Sequence, residues 1–150
     1  MANRNPVWEE VIGPKGIVTR DAGETARLGA ALAGSLDVDS VLSLEGPLGA
    51  GKTQFARGLA EALGCDASSP SFAIVHEYRG GRIPVFHFDF YRMDSESELL
   101  TAGYDDCLGG GVVIVYWGDK FPEALPPGTL RLAFDLQPDG TRRIRGGVKR

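Results

Sequence analysis

The chain is 150 residues long and carries a formal net charge of −4 at pH 7. That length suits one domain over residues 1–150, with core enough to fold without disulfide or metal staples. The acidic balance excludes a surface that clings to nucleic acid as a whole, since such affinity comes from clustered cations, and no apolar run approaches the ~20 residues that span a bilayer.

Gly16 to Arg20 reads as a short strand, and Asp21 to Leu36 as a helix with apolar or small residues at helical spacing and a capping box from Asp21 to Glu24. A buried strand follows at 40 to 45, then a glycine-rich loop, then a helix at 52 to 64 that ends on Gly64, a natural C′ residue. Ser68-Ser69-Pro70-Ser71 breaks the pattern. Phe72 to Tyr78 and Ile83 to Phe90 read as strands of an antiparallel hairpin around Arg79-Gly80-Gly81-Arg82. Ser95 to Glu98 opens a short helix with a second capping box, ending near Gly103. Val112 to Trp117 is an apolar run of the kind covered on both faces, expected in the sheet's centre. Phe121 to Pro127 makes a turn, and 129 to 136 with 141 to 148 form a closing hairpin about Pro138-Asp139-Gly140. With Gly46 to Thr53 matching the phosphate-loop pattern G-x-x-x-x-G-K-[ST] between strand and helix, the sum is an α/β three-layer P-loop NTPase-like domain, with a mixed, mainly parallel sheet extended by antiparallel hairpins.

The loop carries the first chemistry. Gly46-Pro47-Leu48-Gly49-Ala50-Gly51-Lys52-Thr53 fits G-x-x-x-x-G-K-[ST] at every fixed position, between a strand and a helix. Glycines at 46, 49 and 51 let successive N–H groups turn inward around phosphate oxygens. Lys52 falls at the helix N-terminus, where its ammonium reaches the β- and γ-phosphates of a nucleoside triphosphate, and Thr53 offers a hydroxyl to Mg²⁺. The binding segment is therefore Leu48, Gly49, Ala50, Gly51, Lys52, Thr53 and Gln54. A turn that merely caps the helix is the bland alternative.

A P-loop also needs an acid to manage metal and water, at the end of an apolar strand. Val85-Phe86-His87-Phe88-Asp89 ends in a carboxylate, whereas Val112 to Val115 leads to Tyr116. Together, Leu48 to Thr53, Ser69-Pro70-Ser71-Phe72, the string His87-Phe88-Asp89-Phe90-Tyr91-Arg92, and Trp117 resemble the bacterial TsaE family, the small ATPase of tRNA threonylcarbamoyladenosine (t6A) biosynthesis. The likeness runs from Glu24-Thr25-x-x-Leu28-Gly29 to about Leu125. It implies a protein that binds ATP with Mg²⁺ and hydrolyses it slowly beside TsaB and TsaD. Such a protein reaches tRNA indirectly, through that complex, and has no membrane role. It further implies that Thr25 lies near the adenine, that Thr53 and Asp89 hold the metal, and that Lys52, Asp89 and Ser71 serve catalysis, Ser71 from a switch-like segment whose last residue is usually Thr.

The family pattern has Glu before the tryptophan; this chain has Tyr116-Trp117. A neutral phenol, with an unperturbed pKa of ~10, cannot replace a carboxylate by charge. A nucleotide-dependent binding module with vestigial hydrolysis is thus the rival reading, and a small-molecule kinase a third, for which no lid insertion is evident. Pro47, where the family often has an acid, removes one loop N–H.

Other residues have two readings. His87 either contacts the nucleotide site or fills a polar niche, and Arg92 either meets a phosphate or pairs with Asp94 or Glu96. Glu96 and Glu98 suit a helix start. Trp117 is strand-end bulk or a nucleotide or partner contact, and the basic group Arg142, Arg143, Arg145, Lys149 and Arg150 is a solvated tail or a tRNA contact. Cys65 and Cys107 fit no metal spacing and read as reduced thiols, and Met1 to Gly16 has no secretory apolar core, so a soluble cytoplasmic protein is expected.

Overall fold

The computed structural model describes residues 12–13, 15–66 and 75–148. Its strands are β1 (Ile17–Thr19), β2 (Val41–Glu45), β3 (Val75–Tyr78), β4 (Val85–Asp89), β5 (Val112–Tyr116), β6 (Leu130–Leu136) and β7 (Arg142–Val148). They form one sheet in the order β1-β7-β6-β2-β5-β4-β3. The middle four, β6-β2-β5-β4, are parallel, while β7, β1 and β3 add antiparallel edges. β5 lies inside the sheet between β2 and β4, and Val112 to Val115 are all fully buried, as a run without polar alternation requires.

Helices α1 (Ala22–Ala33) and α2 (Lys52–Ala62) cover one face, and α3 (Glu96–Thr101) and α4 (Tyr104–Cys107) the other. Strand parity divides the core between them. Leu42, Leu44, Val85, Val112, Ile114 and Leu132 face α1 and α2, whereas Val41, Phe88, Val113 and Val115 face Phe90, Leu99 and Tyr104. The α1–α2 contact is unusually close because small residues stand at the crossing. A Cβ on Gly58 would lie 2.0 Å from Ala26 O, and one on Gly29 would lie 2.2 Å from Phe55 O.

Helix ends explain several boundaries. Gly64 takes φ 88, with its N–H on Glu61 O and that of Cys65 on Ala60 O, a complete Schellman stop. Of the two expected capping boxes, the one at Asp21 is half-formed and the one at Ser95 does not form. Asp21 Oδ1 accepts from Glu24 N at 2.8 Å, but Glu24 reaches past the cap to Arg20 N, drawn there by its ion pair with the Arg20 guanidinium. Ser95 Oγ turns to Ser97 Oγ, and Glu98 accepts from Asp94 N instead. Among the described residues, no helix is long and apolar enough to cross a membrane.

Candidate functional site

The loop from Gly46 to Gly51 joins β2 to α2. Gly46, Gly49 and Gly51 take φ 145, 84 and 102, conformations that suit glycine, and Ala50 N–H closes onto Pro47 O. Gly46 has a second constraint, since a Cβ there would lie 2.3 Å from Phe134 O. α2 begins at Lys52, with no acid in its first turn, so its positive end stays open to an anion. The result is a cleft of about 600 Å³ lined by Leu48, Gly49, Gly51, Lys52, Thr53 and Gln54 from the loop side. Asp89, Tyr91, Arg92, Tyr116 and Trp117 line the strand side.

Lys52 is largely buried and bends back on its own loop. Its Nζ donates to Gly46 O at 2.6 Å and lies 5.1 Å from the Tyr116 ring centre and 5.5 Å from that of Trp117. Burial pushes the pKa of this amine down, with a smaller upward pull from Asp89. Thr53 Oγ1 lies 3.3 Å from Tyr116 Oη. Burial pushes the Tyr116 phenol up, so it stays protonated.

Register explains this meeting. Leu44, Tyr116 and Asp89 form one row across β2, β5 and β4, and parity turns Tyr116 and Asp89 to the α2 face. Asp89 stands one strand beyond Tyr116, as seen from the loop. Asp89 Oδ1 accepts from Tyr91 N at 3.1 Å, and Arg92 Nε pairs with Asp89 Oδ2 at 3.5 Å, so among the described residues its acidic partner is Asp89 and not Asp94 or Glu96. His87, on the same strand face, packs edge-on against Tyr116 with ring centres 4.1 Å apart. Its Nε2 is buried without a hydrogen-bond partner among the described residues, and burial pushes its pKa down to about 4. His87 thus packs behind Tyr116 and does not line the cleft.

The donors suit a hard cation carried by phosphate. Thr53 offers a hydroxyl and Asp89 a carboxylate, matching the one or two carboxylates Mg²⁺ takes beside phosphates and waters. Among the described residues, no cluster of three or more His, Cys, Asp or Glu could hold a metal by itself.

The model of the family described as "Threonylcarbamoyl adenosine biosynthesis protein TsaE" matches residues 19–144. The chain belongs to the TsaE family. It is 37% identical over 130 residues to a tRNA threonylcarbamoyladenosine biosynthesis protein TsaE from Treponema pallidum, covering 85% of this chain and 96% of that one. The corresponding protein of Bacillus subtilis is 44% identical over 122 residues, covering 79% and 74%. The crystal structure of Bacillus subtilis YdiB superposes with a TM-score of 0.73 at 36% identity, over 85% of this chain and 80% of that one.

Not every residue suggested by likeness to TsaE proteins reaches the cleft. Thr25 is fully buried, bonded to Thr19 Oγ1 at 2.7 Å and to Asp21 O, and its methyl stands behind Gly51. Ala50 is also buried, so it can offer only backbone. Ser69, Pro70 and Ser71, with the start of the strand expected from Phe72, lie outside the described residues.

The residue that sequence reasoning missed is Arg142. Its Nη2 donates to Gly49 O at 3.1 Å, and its Cδ is 3.2 Å from where a Gly51 Cβ would stand. Its Nε is buried without a partner among the described residues. Arg142 therefore braces the phosphate loop rather than joining a basic tail. Its would-be companions are engaged too: Arg143 donates to Lys15 O, and Arg145 pairs with Asp135 at 2.8 Å. Lys149 and Arg150 lie outside the described residues. No local signal marks Arg142, because its position depends on the parallel pairing of β6 with β2.

Proposed function

We propose that this TsaE-family chain binds ATP with Mg²⁺ and hydrolyses it slowly, as a cytoplasmic subunit working with TsaB and TsaD in t6A modification of tRNA. The observation that carries the reading is the convergence, in one cleft, of a glycine cradle, the Lys52 ammonium, the Thr53 hydroxyl and the Asp89 carboxylate. The names of its relatives support the pathway.

In this reading the backbone N–H groups of residues 49–53 and the α2 N-terminus surround the phosphates. Lys52 exchanges Gly46 O for β- and γ-phosphate oxygens. Thr53 and Asp89 would hold Mg²⁺, which would supply neutralising charge for the phosphates. Asp89 also accepts a hydrogen bond from the attacking water and holds it in line. The chain drives or resets its partners' cycle and leaves the carbamoyl transfer to them.

Phosphate release from ATP, measured alone and with TsaB and TsaD, tests this. Slow turnover that rises with the partners and is lost in Asp89→Asn is expected. Tyr116 favours a second reading, a binding module whose docking follows ATP occupancy while hydrolysis is vestigial, because the strand that ends beside Thr53 brings a neutral phenol. ATP binding with no phosphate release under either condition selects it.

A further inference from the structure

Tyr116 stands between the phosphate loop and Asp89, on the row Leu44–Tyr116–Asp89. Its hydroxyl is 3.3 Å from Thr53 Oγ1 and its ring lies beneath the Lys52 ammonium. A carboxylate at that point could only accept, and would call for a cation between itself and a phosphate. A phenol offers an O–H donor and carries no charge near neutral pH. Charge along the cleft agrees. Of its lining residues Lys52 and Arg92 are cationic and Asp89 is anionic, which leaves one net positive charge facing any anion that enters.

We propose that Tyr116 donates a hydrogen bond directly to a phosphate oxygen, and that the cleft holds a nucleoside di- or triphosphate without requiring a divalent cation. The inference rests on the nucleotide reading above and sharpens it: in this chain the metal serves hydrolysis, whereas the loop, Lys52 and Tyr116 serve binding. Thr53 remains able to donate to Tyr116 Oη or to turn to a ligand, since either hydroxyl can be the donor.

Calorimetric titration with ADP, once in excess Mg²⁺ and once in EDTA, tests it on the wild-type chain with no substitution needed. The two affinities should lie within about tenfold of each other. Tyr116→Phe, which keeps the ring, should lose about tenfold in EDTA, the size of one hydrogen bond to a charged acceptor. Tyr116→Glu should lose about a hundredfold in EDTA and recover on adding Mg²⁺, because it sets a carboxylate against the phosphates. Wild-type binding that disappears in EDTA overturns this inference alone and leaves nucleotide binding standing. Equal affinities of wild type and Tyr116→Phe in EDTA do the same. No ADP binding in either buffer overturns both readings.

Discussion

Replacing Lys52 with methionine separates binding from folding, because the ammonium has opposite worth in the two. Lys52 is 8% exposed, and burial disfavours its charged form. Against that cost stand one short bond to Gly46 O and two ring faces at 5.1 and 5.5 Å. A hydrogen bond to a charged group is worth about 1.5–3 kcal/mol and a desolvated cation–π contact up to about 2 kcal/mol. Desolvating an ammonium costs several kcal/mol. Gains and cost nearly cancel, and methionine keeps most of the apolar stem against Tyr116 and Trp117. The net change in stability should therefore stay within about 1 kcal/mol, which for a chain of this length moves Tm by about 2–4 °C in either direction.

Binding behaves differently. With phosphates in the cleft, the ammonium gains charge-assisted bonds that methionine cannot make, so ATP and ADP should bind about ten- to a hundredfold more weakly. Differential scanning fluorimetry reads the first quantity and calorimetric titration the second. A Tm fall of more than about 8 °C with unchanged nucleotide affinity would refute the reasoning and make Lys52 a structural strut.

Three further outcomes follow from the packing and the site. Gly58→Ala should destabilise by about 2 kcal/mol, since overpacking against Ala26 O, 2.0 Å from the new Cβ, outweighs the ~1 kcal/mol helix preference of alanine; a urea midpoint at or above the wild-type value would contradict the close helix crossing. Folding holds His87 neutral, with its pKa depressed from 6.5 to about 4, so the unfolded chain binds more protons as pH falls through that window. Stability should therefore be full above about pH 6.5 and drop by about 2 kcal/mol from pH 7 to pH 5 on this account, and urea titrations at the two values should show His87→Phe losing less by that margin. Tyr116→Glu should raise the steady-state ATPase rate in Mg²⁺ by restoring an acid beside Thr53, and an unchanged or lower phosphate-release rate would count against it.

How far the sequence reveals this site depends on whether its cause is local. The glycines at 46, 49 and 51 are legible because their positive φ is a property of a few consecutive residues, as is the Gly64 stop. The fully buried Val112–Val115 segment announces its strand by the absence of alternation. The capping boxes are legible only in part, because spacing shows that Glu24 and Glu98 can turn back but not which N–H they choose. Arg142 lies beyond such reasoning altogether. It sits next to the loop because β6 pairs with β2 and the turn at Gly140 returns the chain there, and a basic residue near a C-terminus reads alike whether it is solvated or braced.

Trp117 shows how a nonlocal demand can override local preference at the cleft itself. It is the one non-glycine residue among those described with a positive φ, at 61, a conformation that costs an L-residue about 1–2 kcal/mol. Its neighbour Gly118 could have taken that turn more cheaply, but a Cβ on Gly118 would lie 2.4 Å from Ser43 Oγ, so the smallest residue is spent on the close approach to β2. The reversal then falls to position 117, immediately after β5. That sharp exit sets the Trp117 ring over Lys52 beside Tyr116 and within 5.0 Å of Tyr91. A strand that ran on by one more residue would carry the 117 side chain to the opposite face, by the alternation of the pleat. The strained turn thus keeps two consecutive aromatic residues on the Lys52 side of the sheet, lining the same cleft.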